Sequence, residues 1–313
     1  MHSIPVIDFG HYGSDPDKSK DLANAVGCAL RDVGFFALKN HAIAPSLIKE
    51  CYALMESLFA KKEEILKKYE IPGLRGQRGY TSFMKEHAKD NPSPDLKEFW
   101  HVGQEDFGPK QEEGLYPKNI WPEDMPLFKE KFTDLYVQLE KVAKTLLRLC
   151  AQFLEEPASD FGEMATYGNS ILRLIHYPPL SGKENPKSIR AAAHEDINLI
   201  TLLIAATASG LQIKTQDGSW LDVVTPEGCI IVDSGDMLQN ITNGYFKSTT
   251  HRVINPEGVS GPRYSIPFFV HPRSKVDLSP LSQCIEKTGG QKVHPSINAS
   301  AFLAQRLKEI GLA

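Results

Sequence analysis

The sequence predicts a mainly β protein with flanking helices, in which a double-stranded β-helix (jelly-roll) core follows a helical N-terminal half. Helical periodicity of apolar residues dominates up to about residue 160. Short apolar runs between turn residues recur from about residue 170. No internal repeat and no linker divides the 313 residues, so we expect a single domain, 1–313, whose strands enclose a central cavity.

The region 1–160 is predicted to be mostly helical. Apolar residues recur at helical spacing in 21–33, and a second helix is expected after Pro45. The clearest helix is 126–155, where apolar residues are spaced alternately by four and three positions. Because the opposite face of this helix is polar, its apolar stripe should face a core.

The segment 70–122 has a different character from the helices around it. Glycine and proline interrupt every long element there, and aromatic residues are mixed through it. A segment rich in both turn residues and aromatics is seldom disordered. We therefore expect irregular structure that packs over the core or over a binding site.

The region 170–272 is predicted to be the strand-rich core, and 273–313 a C-terminal segment that ends in an amphipathic helix at about 299–310. The predicted strands are 171–177, 198–205, 211–214, 220–224, 229–233, 238–242, 250–254 and 264–270. Asp217-Gly218 is typical of a hairpin turn between two of them.

Composition excludes several classes of partner. Hydrophobic residues make up 41% and charged residues 24%, and the net charge is −4 with no long run of either sign. Because a basic stripe is missing, we expect no nucleic-acid partner and predict small-molecule chemistry instead. No stretch approaches the roughly 20 apolar residues of a membrane span, so no membrane partner is expected. We expect a monomer or a weak homo-oligomer.

The N-terminus and the cysteines favour a cytoplasmic protein. The first residues lack the basic and apolar regions of a signal peptide. The five cysteines are scattered, and their spacing matches no metal site. Free thiols in a reducing compartment are the expected state.

The residues with the most informative chemistry are His194, Asp196 and His251. In an extended segment alternate side chains share a face, so His194 and Asp196 project together. His251 begins another predicted strand that can lie beside them. Two imidazoles and one carboxylate are the ligand set that holds Fe(II) on one face and leaves the other face open. A strand-end histidine bonded to a backbone carbonyl is the alternative for His251.

Arg263 and Ser265 also alternate within a predicted strand, so both face inward if either does. A buried arginine is costly unless it is paired, and no acid nearby in the sequence is an obvious partner. A ligand carboxylate can supply the pairing, with Tyr177 as a third donor. Pairing with a distant acidic residue is the alternative.

These motifs resemble those of the iron/2-oxoglutarate-dependent dioxygenases, in the isopenicillin N synthase-like family. The resemblance covers nearly the whole chain. The matching segments are Ile4-Pro5-Val6-Ile7-Asp8, Gly34 to His41, Lys97-Glu98-Phe99-Trp100, His194-x-Asp196, Asn243-Gly244 to Ser248, His251-Arg252-Val253 and Arg263-x-Ser265. Ile175 departs from this pattern, because many plant members have an asparagine at that position.

The resemblance implies a distorted jelly-roll core and a catalytic Fe(II) held by His194, Asp196 and His251. It implies that 2-oxoglutarate binds the iron and that its distal carboxylate meets Arg263, Ser265 and Tyr177. Oxidation of a small molecule by O2 would then accompany the release of succinate and CO2. The resemblance also admits ascorbate as a reductant.

The aromatic residues Phe269, Phe99 and Tyr80 are candidates for the substrate pocket, with core packing as the alternative. Two other functions stay open. An oxidase of the isopenicillin N synthase or aminocyclopropane-carboxylate oxidase kind would bind a substrate carboxylate at Arg263 and need no 2-oxoglutarate. A non-catalytic jelly-roll protein would only bind the metal. The sequence leaves open the substrate and whether it is hydroxylated, desaturated or cyclised.

Overall fold

The computed structural model describes residues 3–12, 16–88, 93–106, 108, 116–156, 160–180, 184–185, 188–255 and 261–309. Their strands are β1 (Val6–Asp8), β2 (Phe35–Lys39), β3 (Gly79–Thr81), β4 (Glu98–Gly103), β5 (Ile171–Tyr177), β6 (Ala191–His194), β7 (Ile200–Ile204), β8 (Leu211–Lys214), β9 (Trp220–Asp222), β10 (Cys229–Ser234), β11 (His251–Val253) and β12 (Arg263–Val270).

The helices of the described residues are α1 (Pro16–Asp32), α2 (Pro45–Phe59), α3 (Glu63–Leu66), α4 (Pro126–Phe153), α5 (Phe161–Ala165), α6 (Asp236–Ile241), α7 (Ser282–Lys287) and α8 (Ala299–Glu309). The long helix α4 begins with Pro126 at a position that needs no amide donor. Its apolar stripe is buried, as the alternating spacing predicts.

The strands form two sheets. The larger sheet has the order β1-β2-β10-β7-β12-β5-β4-β3, and the smaller has the order β6-β11-β8-β9. Apart from the parallel β1–β2 pair, neighbouring strands in both sheets are antiparallel. This mainly β arrangement with flanking helices confirms the predicted jelly-roll fold class.

Two hydrophobic clusters lie on opposite faces of the larger sheet. On its outer face, strand residues such as Leu202 and Phe268 join the buried stripe of α4, including Phe132. On its inner face, a smaller cluster joins Ile231 of β10 to Ile213 of β8 in the smaller sheet. The inner cluster is smaller than the outer one, and polar side chains also lie between the sheets.

The predicted strands agree with the structure at most positions. Strands β5 and β8 have the predicted bounds, and Gly218 turns the β8–β9 hairpin with a φ of 85°. The predicted strand 238–242 is wrong, because α6 occupies that position. A short apolar run has no periodicity long enough to separate strand from helix, and here the chain turns into a helix after Gly235.

The segment 70–122 is less irregular than expected. Strands β3 and β4 lie within it, and β4 pairs with β5 along its whole length, which extends the larger sheet toward the site. Residues 89–92, 107 and 109–115 of this segment, and 310–313 beyond α8, lie outside the described residues. In the described part of the chain, no helix is long and apolar enough to cross a membrane.

Candidate active site

A cavity between the two sheets brings together the polar residues that the sequence singles out. Its described lining is Phe35, Lys97, Arg173, Ile175, Tyr177, Ala191, His194, Asp196, Thr201, Leu203, Leu211, Asp233, His251, Val253, Arg263, Ser265, Pro267 and Phe269. All three proposed metal ligands and all three proposed carboxylate donors are in this set. The cavity is therefore the candidate active site.

The three candidate metal ligands converge because strands β6 and β11 pair. His194 ends β6, Asp196 follows two residues later, and His251 lies directly opposite His194 in the antiparallel register. Asp196 Oδ1 lies 3.8 Å from Nε2 of His194 and 3.8 Å from Nε2 of His251. Two ligand atoms on metal bonds of about 2.1 Å lie roughly 3 to 4.2 Å apart, so this separation fits one ion.

The histidine rings are oriented for metal binding by backbone carbonyls. Nδ1 of His194 contacts the Ala192 carbonyl at 2.7 Å, and Nδ1 of His251 contacts the Thr249 carbonyl at 3.2 Å. A carbonyl can only accept, so each Nδ1 carries the proton and each Nε2 keeps its lone pair for a metal. Burial, followed by the charge of His194, lowers the pKa of His251 to about 4, which keeps this imidazole neutral at pH 7.

The carboxylate of Asp196 is held from the side away from the histidines. The Thr201 hydroxyl donates to Asp196 Oδ2, and the Asn198 amide donates to the Thr201 hydroxyl at 2.9 Å. Oδ1 is therefore the oxygen that faces the two Nε2 atoms. Two imidazoles and one fixed carboxylate oxygen within 4.8 Å of one another are a donor set that fits Fe(II).

Asp233 is a polar residue of the cavity that the sequence reasoning missed. Burial raises the pKa of this carboxyl well above its usual range, and the charge of Asp196 and a hydrogen bond to it act in the same direction. Alternation along β10 places Asp233 on the inner face with Ile231. An acid near the end of an otherwise apolar strand is the signal that could have identified it.

The candidate carboxylate donors meet because β5 and β12 are neighbours. Arg263 lies opposite Tyr177, and Ser265 lies opposite Ile175. The Arg263 guanidinium donates from Nη1 to the Ser265 hydroxyl at 3.3 Å, and its carbon lies 4.9 Å from the centre of the Tyr177 ring. Arg263, Ser265 and Tyr177 are each only 2% exposed.

No acidic residue of the described chain forms an ion pair with Arg263. Its Nε donates instead to the neutral carbonyl of Ala208 at 3.0 Å. A buried guanidinium without a counter-charge is costly, and a bound carboxylate relieves that cost. The alternative of a distant acidic partner therefore has no support among the described residues.

The three aromatic candidates for the substrate pocket have different positions. Phe269 is part of the cavity lining. The Phe99 ring lies against the guanidinium of Arg173, 4.2 Å from its carbon, and is not part of the described lining. Tyr80 donates from its hydroxyl to Glu98 and packs in the cluster between the larger sheet and the helices.

Two cations line the cavity beside Phe269, the buried Lys97 and the partly buried Arg173. Lys97 Nζ lies 2.8 Å from both Glu86 and Asp95. Arg173 forms two hydrogen bonds with Glu86, at 3.0 and 3.2 Å. The sequence reasoning did not single out Arg173, although period-two alternation along β5 places it on the same face as Tyr177.

Comparisons with known proteins match this chain in both halves. A family model for the 2OG-Fe(II) oxygenase superfamily matches residues 168–272, and a model for the N-terminal region of non-haem dioxygenases in morphine synthesis matches residues 4–124. A crystal structure described as a 2OG-Fe(II) oxygenase family protein from Caulobacter crescentus is 35% identical, with 99% of this chain and 100% of that chain covered and a TM-score of 0.86. The chain belongs to the 2OG-Fe(II) oxygenase superfamily.

Two fungal relatives of this oxygenase support the same assignment. A full-length protein from Neurospora crassa, solved in complex with alpha-KG, is 30% identical, with 97% of this chain and 95% of that chain covered and a TM-score of 0.85. A 2-oxoglutarate-Fe(II) type oxidoreductase from Aspergillus fumigatus is 28% identical over 97% of this chain and 92% of its own length.

The predicted enzyme class is confirmed. The oxygenase is a non-haem Fe(II) dioxygenase that takes 2-oxoglutarate as its cosubstrate and oxidises a small molecule with O2. The names of its relatives favour this function over an oxidase that does not use 2-oxoglutarate and over a non-catalytic metal-binding protein.

Proposed function

We propose that His194, Asp196 and His251 bind the catalytic Fe(II), and that Arg263 and Ser265 bind the distal carboxylate of 2-oxoglutarate together with Tyr177. The observation that carries this proposal is that both sets open into one cavity. The first set offers lone pairs that suit a metal, and the second offers a buried positive charge that suits a carboxylate.

Each residue of the site has a definable task. Bound iron and 2-oxoglutarate supply the oxidising chemistry, with release of succinate and CO2. The Thr201 hydroxyl holds Asp196 in place, and the carbonyls of Ala192 and Thr249 fix the histidine rings. Apolar lining residues such as Leu203 limit access of water to the reacting groups.

A measurement of 2-oxoglutarate decarboxylation tests the proposal. The protein is loaded with Fe(II) anaerobically, and labelled 2-oxoglutarate, ascorbate and O2 are then added. We expect labelled succinate from the unmodified protein and a loss of at least about a hundredfold in Arg263→Met. Arg148→Met, which changes an exposed arginine of α4, serves as the control. Equal succinate formation by both variants would remove Arg263 from the proposed site.

We further propose that the substrate carries an oxygen acceptor and a flat or apolar portion. An ammonium group has three donors, and the two acids beside Lys97 use two of them, which leaves one N–H for a ligand in the cavity. Phe269 provides an aromatic surface near Arg173, whose guanidinium carbon lies 5.2 Å from the centre of its ring.

The related Neurospora crassa protein was also solved with thymine, a planar molecule with carbonyl groups, which guides the choice of test compounds. We expect succinate release to rise above its basal rate with planar carbonyl compounds and not with planar analogues of similar size that lack the carbonyl groups. The same panel applied to Lys97→Met should lose that selectivity. A panel in which acceptor-free compounds stimulate equally would contradict this proposal.

We also propose a cytoplasmic protein that is a monomer or a weak homo-oligomer without a nucleic-acid partner. All five cysteines are free thiols, and the net charge of −4 comes from interleaved basic and acidic residues. Light scattering coupled to size-exclusion chromatography should give the mass of one chain at low micromolar concentration. A stable higher mass would contradict the assignment of the oligomeric state.

A further inference from the structure

Arg190 is a buried cation that the proposed function does not use. It directly precedes β6 and is 0% exposed. Its Nη2 donates to the carbonyl of Gly261 at 3.1 Å. Within the described part of the chain, its Nε and Nη1 have no hydrogen-bond partner, and no acidic residue forms an ion pair with it.

This cation lies next to the candidate carboxylate site. The guanidinium carbon of Arg190 is 6.0 Å from the centre of the Tyr177 ring, and that of Arg263 is 4.9 Å from the same point. Burial and then the charge of Arg263 lower the pKa of Arg190. Two like charges therefore lie near one tyrosine, and no acidic side chain among the described residues forms an ion pair with either of them.

The other two cations at the cavity differ from Arg190 and Arg263, because both are paired with acidic side chains. Lys97 is buried and Arg173 is partly buried, but each has an acidic partner within 3.0 Å. An unpaired buried charge costs several kcal/mol. An anion that binds between the sheets near both arginines is expected to offset the cost of these two unpaired charges.

We propose that Arg190 is a positioning residue of the carboxylate site, which adds a second positive charge behind Arg263 and holds the Tyr177 ring toward the cavity. This inference rests on the proposed function, because it takes the ligand of Arg263 to be the distal carboxylate of 2-oxoglutarate. The site then selects a dicarboxylate over a 2-oxo acid of the same length that lacks the distal carboxylate.

Binding measurements test this inference without relying on turnover. Protein loaded with Mn(II) is titrated calorimetrically with 2-oxoglutarate and with 2-oxopentanoate, which lacks the distal carboxylate. The ratio of the two Kd values reports the contribution of that carboxylate. We expect Arg190→Gln to reduce the ratio about tenfold and to leave the Kd of 2-oxopentanoate unchanged, because only the charged group senses the substitution.

Two further variants separate charge from packing. Arg190→Gln removes the charge and keeps a polar side chain with two N–H donors at this position. Arg190→Lys keeps the positive charge without the planar guanidinium group. We expect the ratio of the two Kd values in this variant to be close to that of the unmodified protein. Arg78→Met is the control, since Arg78 is 1% exposed with an unpartnered Nε but donates to Gln77 and Asn169 and has no contact with the Tyr177 ring among the described residues.

The outcomes distinguish this inference from the proposed function. If Arg263→Met abolishes the preference for 2-oxoglutarate while Arg190→Gln leaves it unchanged, the role of Arg190 is overturned and the proposed carboxylate site stands. If neither variant changes the preference, the assignment of Arg263 fails, and the inference fails with it. A similar decrease in Arg78→Met would attribute the effect to general loss of packing and would also overturn it.

Discussion

The ring of His251 has three neighbours that fix its position. The Phe35 ring meets it edge-on at a centroid distance of 5.4 Å, the His194 ring lies at 4.4 Å, and the Thr249 carbonyl holds its Nδ1. These three contacts hold the imidazole in one orientation, which should reduce the ordering needed for metal binding.

His251→Ala should abolish both the retention of iron and the turnover of 2-oxoglutarate, because the two remaining ligands cannot complete the proposed site. Iron content after gel filtration and succinate formation are the measurements. His294→Ala is the control, since His294 is absent from the described cavity lining. Normal iron occupancy in His251→Ala would contradict the proposed ligand set.

The pH dependence of stability has an identifiable source in His271, which is 8% exposed. Burial lowers the pKa of His271 to about 4, whereas an unfolded histidine titrates near 6.5. The unfolded chain therefore binds the proton first as the pH falls. The stabilisation due to the neutral ring is complete above pH 6.5 and is lost progressively toward pH 4.

We expect the free energy of unfolding of the metal-free protein to fall between pH 7 and pH 5, with about 2 kcal/mol of the decrease due to His271. Urea unfolding at both pH values measures the decrease. In His271→Gln the decrease should be smaller by that amount, because glutamine does not titrate. Identical decreases in the two proteins would show that His271 is not a source of the pH dependence.

Among the elements, β12 shows how one strand serves both the core and the site. Arg263, Ser265 and Phe269 line the cavity, while Ile266 and Phe268 lie in the cluster that contacts the helices. The period of two places successive residues on opposite faces. Pro267, which lies between Ile266 and Phe268, also lines the cavity. Strands β5 and β7 pair with β12 on its two sides.

Two adjacent substitutions on β12 should separate packing from site function. Phe268→Ala should lower the free energy of unfolding by about 3–5 kcal/mol, because it removes a fully buried ring from a packed cluster. Phe269→Ala removes a ring that borders a cavity, and we expect a cost of about 1–2 kcal/mol. Urea denaturation curves provide the comparison. Equal costs would contradict the assignment of the two faces.

At the scale of the whole molecule, the helical half and the strand-rich core share one hydrophobic cluster. Residues of α1, α2 and α4 belong to the same buried set as residues of β7, β10 and β12. Contacts of this kind couple the stability of the two halves. The organisation of the chain as a single domain stays a prediction, and this shared core is the observation that supports it.

We expect a single cooperative unfolding transition in which far-UV circular dichroism and tryptophan fluorescence report the same midpoint. Trp100 lies in the shared cluster beneath the helices, and Trp220 lies in the smaller sheet. Tryptophan fluorescence therefore reports on both the shared cluster and the smaller sheet. Two separated transitions would indicate independent folding units. Mn(II) and 2-oxoglutarate together should raise the midpoint, because they bind only the folded state.

Much of the fold was predictable because its signals are local. The apolar stripe of α4 and the alternation in β5 and β12 depend only on residues close together in the sequence. The predicted bounds of these three elements lie within two residues of those in the structure. The short helix α6 was mistaken for a strand because six residues carry too little periodicity. Strands β3 and β4 escaped detection because glycine and proline surround them.

The sequence by itself determined the chemistry of the proposed site, because residue types and period-two spacing identify His194, Asp196, His251, Arg263 and Ser265 as candidate donors. Only the tertiary structure decided which other groups lie in the cavity, as Asp233 and Arg173 do, or beside its lining residue Tyr177, as Arg190 does. Asp233, Arg173 and Arg190 belong to strands or strand ends far apart in the chain, and their contacts depend on strand register and on burial. Neither strand register nor burial can be predicted from neighbouring residues, since both arise only when distant segments pack together.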